Sequence, residues 1–122
     1  MAPVTPVANV FADLPDASAG EVFTDLLARP GCRIERIVSR GQITPVERPY
    51  RQAHDEWVLL LAGAARLEMG GVETALAPGD HRMIPAGTTH RVTFTDPDRP
   101  TIWLAIHFGE ADRPVQISAD PG

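Results

Sequence analysis

Residues 79–94, GDHRMIPAGTTHRVTF, alternate turn chemistry with short runs that carry apolar side chains. APGD at 77–80 reads as a turn, HRMIP as a short strand, AGTT as a second turn and HRVTFT as a second strand. Glycine supplies positive φ and proline fixes φ while removing a donor, so Pro85 and Gly87 punctuate the chain and bar a helix here. Upstream, ARLEMGGVETAL at 65–76 is the clearest hairpin: Leu67 and Met69 alternate with polar neighbours, Gly70-Gly71 makes the turn and Val72 starts the return. EWVLLLAG at 56–63 reads as a buried strand, and CRIERIVSR at 32–40 as a strand with mixed faces, Ile34, Arg36 and Val38 against Glu35, Ile37 and Ser39. Downstream, DPDRP is a loop and TIWLAIHF at 101–108 a last buried strand. Short strands at intervals of about 8–12 residues, divided by Gly/Pro turns, predict an all-β sandwich or barrel.

The N-terminal part reads differently. Residues 1–15 are rich in Pro and Ala and form an arm. SAGE at 18–21 has the form of a capping box, with Ser18 as N-cap and Glu21 reaching back to it. Val22, Phe23, Leu26 and Leu27 follow at helical spacing and RPG at 29–31 ends the run, so one short amphipathic helix is predicted. The expected organisation is an arm over 1–17, one domain over 18–109 that includes this helix, and a tail over 110–122 in which PVQIS could add an edge strand.

The chain has 122 residues, a common size for one domain, and buries enough surface at that length to fold without staples. The single Cys32 excludes an internal disulfide and fits a reducing compartment. No basic start precedes an apolar stretch, and no apolar run approaches the roughly 20 residues of a membrane span. A soluble, cytoplasmic protein is expected. All eleven basic residues are arginine, which rules out a Schiff-base or phosphate-binding lysine from this chain. A net charge of −5 and scattered arginines argue against nucleic acid as a partner.

Residues 79–94 also carry a pattern, G-x5-P-x-G-x2-H, on Gly79, Pro85, Gly87 and His90. It resembles the second conserved motif of the cupin superfamily. EWVLLLAG, E-x6-G from Glu56 to Gly63, resembles the second half of the first cupin motif, and the Gly70-Gly71 hairpin separates the two as in cupins. The resemblance covers about residues 33–108 and implies a small double-stranded β-helix, or jelly-roll, barrel. The first motif ordinarily carries HxH ahead of the glutamate. Here those positions hold Tyr50 and Gln52, or Pro49 and Arg51, and where the second motif often ends in Asn the chain has Phe94. Of the family's three-His, one-Glu metal site, only Glu56 and His90 map directly.

A divalent transition metal (Fe, Mn, Ni or Zn) is what the resemblance implies as cofactor, and it needs three or four converging N/O donors. Side chains two apart on a strand share a face, so His54 can join Glu56, and with His90 the set becomes two imidazoles and a carboxylate. Tyr50 and Gln52 share the parity of Glu56: Tyr50 is a candidate acid or base beside Glu56, and Gln52 a candidate ligand-binding amide. His107, in a strand apolar on both faces, needs a buried partner and is a further candidate for ligand binding. Asp55 is expected to face solvent, His81 to be structural, and Trp57 and Trp103 to belong to the core or a subunit interface. Three functions compete: a metal-dependent enzyme acting on a small polar metabolite by oxygenation, isomerisation, elimination or cyclisation; a small-ligand binding or sensing module with a degenerate metal site; and a dimeric partner with a vestigial pocket. A homodimer is expected, since free sheet edges want covering.

Overall fold

The computed structural model describes residues 6–109. Eight strands follow one another: β1 (Val22–Arg29), β2 (Cys32–Ser39), β3 (Glu56–Ala62), β4 (Ala65–Met69), β5 (Val72–Leu76), β6 (His81–Ile84), β7 (His90–Thr95) and β8 (Thr101–Phe108). They form two antiparallel sheets, one in the order β1-β2-β8-β3-β6 and one in the order β5-β4-β7. Inward side chains from both sheets share one core, with Val58, Leu60, Ile84, Trp103 and Ala105 from the first meeting Leu67 and Leu76 from the second. This is the all-β, jelly-roll architecture that the strand spacing and the motifs predict, and no helix occurs among the described residues.

The predicted helix is therefore corrected: residues 22–29 are strand β1, paired with β2 from Val22↔Val38 to Arg29↔Cys32. Pro30 and Gly31 form the two-residue loop, and Gly31 takes φ +78°, a conformation open to glycine. The apparent helical spacing of Phe23, Leu26 and Leu27 comes from a bulge between Asp25 and Leu27, which shifts the alternation by one residue. Long-range pairing with β2 outweighs a local helical signal that eight residues cannot sustain alone. Glu21 does not cap a helix either; it accepts a hydrogen bond from Ser39 Oγ at 2.6 Å.

Ahead of β1, Arg36 on β2 donates from Nη1 to the carbonyls of Val10 and Ala12, both at 3.1 Å, and Ala17 is buried. The tail over 110–122, with its proposed PVQIS strand, and residues 1–5 lie outside the described residues. Gly63, the last residue of the E-x6-G pattern, has φ +87° and sits where a Cβ would come within 2.6 Å of Thr101 Cα. That position is fixed by backbone crowding between β3 and β8, with no chemistry of its own.

Candidate functional site

Register places the polar residues of the first sheet. β8 pairs with both β2 and β3, so His107 stands opposite Arg33 on one side and Glu56 on the other. Glu35, two residues after Arg33, shares its face, as Val58 shares that of Glu56. The inner face at this end of the sheet thus collects Arg33, Glu35, Glu56 and His107, all at least nine-tenths buried. Across the barrel the isolated bridge Tyr50↔His90 brings in two more rings, stacked at a centroid distance of 5.8 Å.

These groups divide into two clusters. In the first, Glu35 and His107 are fully buried, with His107 Nε2 at 2.8 Å from Glu35 Oε1. Arg33 Nη1 donates to Glu35 Oε2 at 2.8 Å and to Asp25 Oδ1 at 3.2 Å. His54 Nε2 lies 2.9 Å from His107 Nδ1. A carboxylate can only accept, so His107 donates from Nε2, and a neutral His107 accepts from His54 through Nδ1. Burial alone would push the Glu35 carboxyl up, but the His107 hydrogen bond and the Arg33 guanidinium outweigh it and hold Glu35 below the ordinary value.

The second cluster faces a cavity of about 250 Å³ between the sheets, whose polar lining includes Glu21, Glu35, Tyr50, Glu56 and His90. Gln52 donates from Nε2 to Glu56 Oε1 at 2.7 Å, and that contact fixes the amide, since its oxygen would be repelled by the carboxylate. His90 meets the carbonyl of Thr88 through Nδ1 at 3.0 Å. Its Nε2 is 3.9 Å from Glu56 Oε1, and His107 Nε2 is 3.9 Å from Glu56 Oε2, both too long for hydrogen bonds. Among the described residues, His90 Nε2, Glu56 Oε2 and the Tyr50 hydroxyl therefore have no hydrogen-bond partner. Burial, then the negative charge of Glu21, Glu56 and Glu35, pushes the Tyr50 phenol up to about 12. Tyr50 thus stays protonated at neutral pH and can donate. Burial also raises the Glu21 carboxyl, against the Ser39 hydrogen bond and with the help of the Glu35 charge.

Of the residues singled out from sequence, Tyr50, Glu56 and His90 line the cavity together, and Gln52 stands behind Glu56. His54 and His107 are paired with each other instead. The chain bends at Ala53 and His54, so the two-apart parity between His54 and Glu56 does not operate there. Asp55 is exposed and accepts from the Ala86 amide at 2.8 Å; Trp57 packs on His81, and Trp103 is buried against the cavity. Two lining carboxylates escaped the sequence reading. Glu35 shows only as the partner in parity of Ile37 and Ser39, and Glu21 was assigned to a helix cap.

A transition metal does not fit the donors as they stand. Both nitrogens of His107 are committed, His54 Nε2 is used on His107, and the open donors are Glu56 and His90 Nε2, fewer than the three or four such an ion takes. Among the described residues no group of three or more His, Cys, Asp or Glu is placed to hold one. No helix among these residues is long and apolar enough to cross a membrane.

Comparison with known proteins places this geometry. Residues 37–107, more than half of the chain, match the family model described as the Cupin domain. A candidate mannose-6-phosphate isomerase from Ralstonia eutropha JMP134 is 41% identical over 86% of this chain and 99% of its own, with a TM-score of 0.82. KdgF from Halomonas sp. is 22% identical, with 86% of this chain and 94% of that one covered and a TM-score of 0.70. The DMSP lyase DddQ from Ruegeria pomeroyi DSS-3 is also 22% identical, with 90% of this chain but 58% of that one covered and a TM-score of 0.67. The last two show the fold alone. No curated protein sequence matches the chain.

Proposed function

Since this chain belongs to the cupin family, we propose that its cavity takes a small polar organic molecule and that Glu56 and His90 move a proton on it. The single observation that carries this reading is the open pair, a carboxylate and an imidazole facing one cavity with Glu56 Oε2 and His90 Nε2 unpartnered among the described residues. Gln52 holds Glu56 in place, so the carboxylate acts as base toward a carbon-bound hydrogen. His90 or the protonated Tyr50 donates to the oxygen where negative charge develops. Apolar side chains from both sheets, Val58 and Ile84 on one and Leu67 and Val92 on the other, line the rest of the cavity. Isomerisation and elimination are the reaction classes this supports.

The mannose-6-phosphate activity attached to the 41% identical relative is not what we propose here. Among the described residues three carboxylates and no arginine line the cavity, and the chain has no lysine, so a phosphate would meet charge of its own sign. Hydroxyacetone, an enolisable α-hydroxyketone, tests the proton-transfer step. In D₂O the protein should speed exchange of its carbon-bound hydrogens, read by proton NMR, and Glu56→Gln should slow that exchange by about 10²–10⁴-fold. Exchange no faster than in buffer would leave a binding module in place of an enzyme.

A metal-dependent reading keeps one observation in its favour: the Nε2 atoms of His90 and His107 both stand 3.9 Å from oxygens of Glu56. It requires His107 to release Glu35. Metal analysis of protein purified without a histidine tag separates the two. The metal-free reading expects no stoichiometric Fe, Mn, Ni or Zn; a full equivalent that His90→Ala abolishes would replace it.

A further inference from the structure

Glu35 has a guanidinium and an imidazole to answer its charge, whereas the other two lining carboxylates have neutral donors only. Glu56 receives the Gln52 amide and Glu21 receives the Ser39 hydroxyl. Arg33 is shared between Glu35 and Asp25. Burying a carboxylate without a counter-charge is costly, and the cost is borne here at Glu56, whose side chain is 6% exposed. Glu56 lines the cavity together with Tyr50 and His90, its side chain more than nine-tenths buried and its Oε2 without a hydrogen-bond partner among the described residues. Phe23, Tyr50 and Trp103 line the same space, and aromatic faces attract cations, most strongly when water is excluded. Apart from Thr44 the rest of the described wall is aliphatic, so it accommodates alkyl groups, and it carries no lysine or arginine for an anion.

From these features we propose that the molecule taken by the cavity is a small organic cation, an alkylammonium, with its positive head held between Glu56 and Glu21 and its alkyl groups against the aromatic rings. This rests on the reading of the cavity as a ligand site and adds the charge of the ligand to it. The cation would supply the counter-charge that the described residues do not place there. It would also leave Gln52 free to keep Glu56 oriented through Oε1.

Three probes of nearly equal shape and different charge test the assignment by isothermal titration calorimetry at neutral pH: choline, its uncharged isostere 3,3-dimethyl-1-butanol, and the anion 3,3-dimethylbutanoate. Choline should bind at least about tenfold more tightly than the alcohol, and the butanoate should give no heat. Glu56→Gln and Glu21→Gln, each nearly isosteric, should separately reduce the advantage of choline over the alcohol. Alcohol or butanoate binding as tightly as choline would overturn the charge assignment and leave the cavity a ligand site. If none of the three binds, both the assignment and the ligand-site reading fall. A preference for choline that neither variant changes would place the cation elsewhere and overturn the proposal.

Discussion

Glu35 with His107 and Glu56 with His90 are both carboxylate–imidazole pairs, and a few residues of β2, β3 and β8 separate them, yet they are finished differently. Glu35 and His107 are fully buried 2.8 Å apart, and Arg33 and His54 take up their remaining hydrogen-bonding capacity. Glu56 and His90 are held from behind, by Gln52 and the Thr88 carbonyl, and stop 3.9 Å short of each other at a cavity. A satisfied buried network rigidifies a core, while converging polar atoms with spare capacity in a cavity are what a ligand or a reaction requires. The difference between the pairs lies in what stands behind and in front of each, and both use the same two residue types.

The largest effect should come from breaking the satisfied pair. Glu35→Ala takes one carboxylate from Arg33, which keeps Asp25, and leaves the buried His107 N–H without its acceptor; it should cost about 3–5 kcal/mol of unfolding free energy. Urea denaturation measures it; a loss below about 1 kcal/mol would mean that this network is not structural and would erase the contrast. Next in size is the open pair, where the effect moves from stability to function. Glu56→Gln removes a buried charge that has no cation partner among the described residues, so unfolding free energy should hold or rise, while ligand binding and proton exchange are lost. A large destabilisation with binding intact would assign Glu56 to the same structural role as Glu35.

What was legible in the sequence follows the range of the interactions involved. Turn chemistry is local, so Gly and Pro turns such as Pro85, Gly87 and the Gly70-Gly71 hairpin, with the apolar runs between them, marked seven of the eight strands and the architecture with them. β1 was misread because a bulge of one residue turned a strand alternation into an apparent helical period, and its true partner, β2, is fixed by tertiary pairing. Glu56 and His90 stood out as candidates because motif spacing carries them, and both line the cavity. The partition between the two clusters was not, since it depends on the pairing of β8 with two strands at once and on the bend at residues 53–54. Glu35 and Glu21 carry no motif, and a glutamate in a mixed-face strand looks the same in sequence whether it faces water or a cavity.

The smallest effect, and the one that separates the two environments most cleanly, is the response of the carboxylates to pH. Glu35 is held below the ordinary value of 4.5, so its contribution is present above that value and is lost as pH falls through its lowered folded value. Glu21 is raised above 4.5 by burial, which reverses the sign. Its contribution is complete below 4.5 and is lost as pH rises through the folded value, so at neutral pH an ionised Glu21 burdens the fold. Glu21→Gln keeps an acceptor for Ser39 and removes the charge; it should raise the melting temperature by a few degrees at about pH 7. The gain should shrink toward zero near pH 4, where wild-type Glu21 is already protonated. A variant that is less stable than wild type at neutral pH would mean that Glu21 ionises in the folded protein without penalty, and would remove the uncompensated charge that distinguishes the cavity from the sealed Glu35 network.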